Sequence, residues 1–168
     1  MKDRTAHTVP QTSVAITAFV DVVLPLPPGL EPRQAAVARE SLQHVPRPPR
    51  VLPPRLVISE ALQVPLVGTL AGFLPGLIGR WRRDALLGAR GIGRVTQVQQ
   101  AVDLRGNTRN FWWIHLEYVV ADELVRSRVR ATDTDAADAD NARVVPIVVD
   151  LARPRDVIVW WSALDIAV

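Results

Sequence analysis

The sequence predicts a mainly β fold: a small five-stranded antiparallel barrel or curled sheet, preceded by a proline-rich arm and an apolar helical segment. Three observations support this prediction. Five β-rich runs follow one another within residues 91–161, two of them alternate strictly between faces, and nine prolines interrupt residues 25–54. Because closure removes exposed strand edges, five short strands favour a barrel or a strongly curled sheet.

The clearest strand covers residues 110–120. Successive side chains of a strand point to opposite faces, so this run has two distinct surfaces. The apolar face carries Trp112, Ile114, Leu116, Tyr118 and Val120. The mixed face carries Phe111, Trp113, His115, Glu117 and Val119. We expect the apolar face to lie in the core.

The other strands are predicted at residues 92–99, 124–130, 143–150 and 157–161. Ala121-Asp122-Glu123 is short enough for a hairpin turn, and Gly106-Asn107 marks a turn after the first strand. The Trp160-Trp161 pair at the end of the last run fits either the core or a contact surface.

The chain divides into three predicted parts. Residues 1–60 form an extended proline-rich arm, because each proline lacks an N–H and restricts its predecessor. Its one short helix is predicted from Pro32 to Gln43, with proline suitably placed in the first turn. Residues 61–87 form an apolar helical segment that Gly88 ends, and residues 88–168 form the small β domain.

The segment from Ala61 to Gly79 carries no charge over 19 residues, which is near the minimum length for crossing a bilayer. Its glycines recur every four residues, a spacing that lets helices approach closely in lipid, and a basic aromatic cluster follows it. These residues are Gly68, Gly72, Gly76, Arg80, Trp81, Arg82 and Arg83. Two interpretations remain: a membrane-spanning or re-entrant segment, or an apolar segment buried against another subunit or lying in the membrane interface.

Composition and motifs argue against an enzyme. The chain has no cysteine, and its net charge of +3 permits an anionic partner without requiring one. Residues 132–141 lack the ligand positions of a calcium loop and are predicted to be a solvated loop or one helical turn. Residues 88–93 lack a phosphate-loop pattern, and their glycines are predicted to turn the chain into the first strand. We therefore expect no catalytic residue, no cofactor and no metal site.

One cluster of side chains suggests a binding surface. It consists of Phe111, Trp113, Arg126, Arg128 and Arg130, which are predicted to share one side of the sheet. Aromatic rings beside arginines suit single-stranded nucleic acid or anionic lipid headgroups. The simpler interpretation, which we favour, is the solvent face of an edge strand whose charges discourage aggregation.

The order of motifs from Arg80 onward resembles a widespread bacterial family of unknown function. The resemblance rests on Arg80-Trp81-Arg82-Arg83, Gly91-x-Gly93-Arg94-Val95, Ile114-His115-Leu116-Glu117-Tyr118 and the run from Val145 to Pro154. In that family a small β domain follows a membrane helix with a basic edge. The resemblance covers about half the chain, and implies this fold and membrane association but no catalytic residues.

The sequence thus favours a non-enzymatic, membrane-associated interaction protein with a small β-barrel domain on the cytoplasmic side. The first alternative is a structural subunit, soluble within a larger assembly, with its N-terminal arm buried against neighbouring subunits. The second is a nucleic-acid-binding β-barrel. We expect a protein partner or a second copy of the chain, with a membrane as a further partner, and favour both over nucleic acid.

Overall fold

The structure, a computed structural model, describes residues 20–51 and 85–167. The secondary-structure elements of these residues are, in chain order, α1 (Pro32–His44), β1 (Ala89–Val102), β2 (Thr108–Val120), β3 (Glu123–Ala131), α2 (Asp133–Ala142), β4 (Val144–Val149), β5 (Val157–Val159) and α3 (Trp161–Ala167). The predicted strands and the predicted helix α1 are confirmed, with β1 longer than expected at both ends and β5 shorter.

The five strands form one antiparallel sheet in the order β3-β2-β1-β4-β5. The long strand β1 serves both halves of the sheet: residues 89–94 pair with β4, and residues 94–102 pair with β2. The edge strands β3 and β5 do not pair with each other, so the sheet is not closed. The five-stranded antiparallel prediction is confirmed, whereas the barrel is not.

The core lies on the predicted apolar face of β2. Ile114, Leu116, Tyr118 and Val120 are buried there, and Trp112 at the end of the row is half-buried. Helices α2 and α3 complete the same apolar cluster with Ala136, Ala139, Ala142, Trp161 and Leu164. Trp160 and Trp161 are both buried, so the tryptophan pair belongs to the core.

Helix α2 corrects the prediction of a solvated loop or a single helical turn at residues 132–141. The run contains four aspartates, which favour turns and caps, and this composition concealed a ten-residue helix. Thr132 caps its first turn by accepting a hydrogen bond from the Asp135 amide, and the early aspartates suit the positive end of the helix dipole. The helix is held on the sheet by three alanines spaced three residues apart, which bury one small face.

The chain before α1 packs on the sheet as a short extended segment. The Val22 carbonyl accepts from the Arg90 amide at 3.0 Å, and the Leu24 amide donates to the Arg90 carbonyl at 2.9 Å. Gly91 allows this approach, because a Cβ there would lie 2.9 Å from the Leu24 Cβ. Gly91 lies within β1 and not in a turn before it, contrary to the prediction, whereas Gly93 lies in the predicted strand.

The apolar segment from Ala61 to Gly79 lies outside the described residues. Within residues 20–51 and 85–167, no helix is both long enough and apolar enough to cross a membrane. The helical turn at residues 85–87 ends at Gly88 as expected, and β1 begins at the next residue.

Candidate interaction surface

Strand register places the predicted cluster on one face of the sheet. Side chains of directly paired residues share a face, and Trp113 pairs with Arg130, His115 with Arg128 and Glu117 with Arg126. This face lies opposite the apolar row of β2. We call it the outer surface, and it carries Phe111, Trp113, Arg126, Arg128 and Arg130, together with Arg94, Arg109, His115 and Glu117.

The aromatic rings of the outer surface are covered by guanidinium groups. The Arg128 guanidinium carbon lies 4.4 Å from the Trp113 ring centre, and that of Arg130 lies 3.7 Å from the Phe111 ring centre. The two rings meet edge to face, with centroids 5.4 Å apart. Both cation–π contacts are diagonal, since each arginine reaches past its direct partner. Such contacts stabilise by about 0.5–1 kcal/mol each at exposed sites, so they favour the stacked positions of the arginines by roughly two- to fivefold.

Glu117 anchors the middle of the outer surface. Although it is only 7% exposed, it accepts hydrogen bonds from Arg94 on β1 at 2.5 Å and from Arg126 on β3 at 2.8 Å. These donors, Arg94 first, hold the pKa of Glu117 below its usual value against the opposing effect of burial. The carboxylate is therefore ionised at neutral pH and ties three neighbouring strands together.

The tip of the β1–β2 hairpin lies at one end of the outer surface and carries two exposed apolar side chains, of which Val102 pairs with Thr108 on the opposite face of the sheet. Leu104 is fully exposed and Val102 is 56% exposed. The turn is stabilised by the Asp103 carboxylate, which accepts from the amides of Arg105 and Asn107 at 2.8 and 2.9 Å. These bonds, that of the Asn107 amide first, lower the pKa of Asp103. Gly106 supplies the positive φ of 82° that the turn requires.

The outer surface and the hairpin tip together are basic. Six arginines lie there, Arg94, Arg105, Arg109, Arg126, Arg128 and Arg130, against two carboxylates, Asp103 and Glu117. Both carboxylates are engaged by groups of the surface itself. Sequence reasoning identified three of the arginines. It missed Arg94, whose role depends on the pairing of β1 with β2, and the exposed Leu104, although Gly106-Asn107 correctly marked the turn.

A second concave region lies at the other end of β3. It is an open cleft of about 630 Å³ lined by residues 123–126 and 153–156. Its wall is built by hydrogen bonds from the Tyr118 hydroxyl to the Pro154 carbonyl at 2.6 Å and from the Ser127 hydroxyl to the Arg155 carbonyl at 2.8 Å. The cleft is thus a product of the way the loop before β5 folds onto β2 and β3.

The other predicted functional segment lies outside the described residues. It comprises Gly68, Gly72, Gly76, Arg80, Trp81, Arg82 and Arg83. Among the residues that the structure does describe, no group of three or more acidic or histidine side chains is arranged to hold a metal ion. His44 lies exposed at the end of α1, and His115 is half-buried on the outer surface.

Comparison of the chain with protein-family models, with curated proteins and with solved structures finds no match. The resemblance to a bacterial family with a membrane helix accordingly stays a prediction.

Proposed function

We propose that this chain is a non-enzymatic, membrane-associated interaction protein whose docking surface is the outer surface of β1, β2 and β3. The proposal rests on one observation above all. Arg128 and Arg130 stack over Trp113 and Phe111, so their guanidiniums lie in a row whose stacked arrangement is favoured before any partner binds. An ordered row loses less side-chain entropy on binding than flexible arginines would lose.

The charge balance of the surface supports an anionic partner. Its two carboxylates are paired internally, whereas Arg126 remains 79% exposed even while it bonds to Glu117. Guanidinium groups recognise phosphate and carboxylate through paired hydrogen bonds. The basic aromatic edge that follows the apolar run from Ala61 to Gly79 adds a sequence argument for a membrane.

Fractionation of cells that express the full chain tests the proposal. We expect the wild-type protein in the membrane pellet and a smaller share of the double variant Arg128→Gln with Arg130→Gln. Each arginine near an anionic surface contributes about 1 kcal/mol, so removing two lowers the partition by roughly 30-fold. A wash in high salt should release wild-type protein for the same reason.

A matched control removes the same charge elsewhere. Arg33→Gln with Arg39→Gln changes two exposed arginines of α1 and should leave the membrane share unchanged. Wild-type protein found wholly in the soluble fraction would contradict the proposal. So would an equal loss of membrane association in both double variants, because the effect would then report net charge and not this surface.

A further inference from the structure

We infer that the hairpin tip and the outer surface bind directly to an anionic lipid bilayer, with Leu104 entering the interface and the arginines contacting headgroup phosphates. This inference rests on the proposed function and adds the chemical class of the partner. Its two parts are adjacent: the apolar tip joins β1 to β2, and the basic surface covers these two strands and the neighbouring β3.

The tip has the shape that insertion into a bilayer interface requires. Leu104 projects fully into solvent, and Val102 beside it is more than half exposed. The hydrogen bonds of Asp103 stabilise the turn in which Leu104 points into solvent. A leucine in this position gains only from an apolar environment supplied by another molecule.

The charges next to the tip are positioned for headgroups. Arg105 follows Leu104 directly, and the Arg109 guanidinium lies 3.9 Å from the Asp103 carboxylate, at the edge of ion-pair distance. Arg109 begins the outer surface on β2, and Arg130 covers Phe111 two positions further along the strand. Aromatic rings beside arginines are typical of side chains that lie at the level of the headgroups.

The same observations favour lipid over nucleic acid. Single-stranded nucleic acid binds by stacking bases on open aromatic rings, but guanidinium groups 3.7 and 4.4 Å away already occupy the ring faces of Phe111 and Trp113. The fully exposed Leu104 at the tip is apolar, so it forms no hydrogen bond or ion pair with the phosphates and sugars of a nucleic acid. A bilayer uses both features, because it presents phosphates above an apolar layer.

Vesicle sedimentation with the purified full-length protein tests the inference. The probes are vesicles of phosphatidylcholine alone and of phosphatidylcholine with one quarter phosphatidylglycerol. We expect binding to the anionic vesicles that weakens as salt rises. Leu104→Asp should weaken it by about tenfold or more, since it loses apolar transfer and adds repulsion. Arg105→Gln with Arg128→Gln should weaken it by roughly 30-fold.

Leu151→Asp is the matched control, because Leu151 is also an exposed leucine (47%) and lies on the loop before β5. It should bind like the wild type. Thermal unfolding should be the same for Leu104→Asp as for the wild type, since Leu104 touches no core residue. Equal binding by wild type, Leu104→Asp and the arginine variant would overturn the inference and place the lipid contact elsewhere in the chain.

The remaining outcomes separate this inference from the proposed function. The protein could pellet with membranes in cells, in a way that depends on Arg128 and Arg130, and still fail to bind vesicles. That result would indicate a membrane protein as the partner. It would overturn the inference and leave the proposed function standing. Binding of a single-stranded oligonucleotide that depends on the same arginines but is insensitive to Leu104→Asp, without vesicle binding, would overturn the inference in favour of nucleic acid. Wild-type protein that is soluble in cells would overturn the proposed function itself.

Discussion

Ala121 shows how a single residue departs from the preference of its turn. Ala121 and Asp122 join β2 to β3 with φ angles of 49° and 65°, the left-handed pair that a two-residue type I′ hairpin requires. Asparagine, aspartate and glycine tolerate this region, but the Cβ of alanine does not, at a cost of about 1–2 kcal/mol. The turn forms because the paired strands on both sides determine it.

Ala121→Gly should therefore raise the free energy of unfolding by about 0.5–1 kcal/mol, because relief of the left-handed strain outweighs the added freedom of the unfolded chain. Urea denaturation measures the change. Ala137→Gly, at an exposed position within α2, is the control with the opposite sign and should cost about 1 kcal/mol. A destabilised Ala121→Gly protein would show that the turn is not left-handed.

Glu117 links the stability of the sheet to pH. Arg94 and Arg126 lower its pKa in the folded protein below the unfolded value of about 4.3. The stabilisation is therefore complete above pH ~4.3 and is lost as the pH falls through the folded pKa. Glu117→Gln should cost about 1–2 kcal/mol at pH 7, since it leaves the arginines without a charged acceptor. The difference in unfolding free energy between the variant and the wild type should shrink as the pH falls from ~5 to ~3.

Chemical denaturation of both proteins at several pH values checks this expectation. Glu40→Gln, an exposed glutamate of α1, serves as the control and should follow the wild type at every pH. A constant difference between wild type and Glu117→Gln from pH 7 to pH 3 would contradict the ion-paired arrangement.

At the scale of the elements, alternation predicted the strands well, because β2 and β3 each bury one face. The same pattern placed Phe111 and Trp113 beside the arginines of β3 before any pairing was known. Helix α2 was not predicted, since its burial depends on alanines and its aspartates resemble a loop. Helix α3 was missed because, in the sequence, Trp160 and Trp161 continue the β-rich run that starts at Val157. In the structure the strand ends at Val159 and the helix begins at Trp161.

Within β1, Gly91 and Gly93 offer a direct comparison. A Cβ on Gly91 would meet the Leu24 side chain at 2.9 Å, whereas a Cβ on Gly93 would have its nearest neighbour, Ile147, at 3.4 Å. Gly91→Ala should destabilise the protein by about 1–3 kcal/mol and loosen the segment around Leu24. Gly93→Ala should cost less. Hydrogen exchange of the Leu24 amide provides the second readout, and unchanged protection in Gly91→Ala would contradict the predicted clash.

For the whole molecule, the open sheet is held in shape by side chains. Tyr118 on β2 and Ser127 on β3 both donate to carbonyls of the loop that leads into β5. These bonds bring the two edges of the sheet toward each other without joining their backbones. Of the two predicted forms, a barrel or a curled sheet, the barrel is not confirmed, because five alternating strands in the sequence do not reveal whether the last edge is paired.

Tyr118 is the only tyrosine of the chain, so its titration reports this closure directly. Burial raises its pKa to about 12. The stabilisation from the neutral phenol is complete below the unfolded pKa of about 10 and is lost as the pH rises through about 12. Absorbance near 295 nm should therefore change about two pH units later than in the urea-unfolded protein. Coincident titrations would show that the loop does not cover Tyr118.

The division of β1 between two sets of partners has a consequence for the order of folding. Its second half pairs with β2, and β2 pairs with β3, through short hairpins that need little loop closure. Its first half pairs with β4, which follows α2 in the sequence. It also contacts the segment before α1, where the Asp21 carboxylate accepts a hydrogen bond from Arg90, 69 positions later in the chain. Both contacts need longer loops to close. We expect the three-stranded meander to form early, as a template on which both distant segments later dock. The outer surface would then be built before the hydrophobic core is complete.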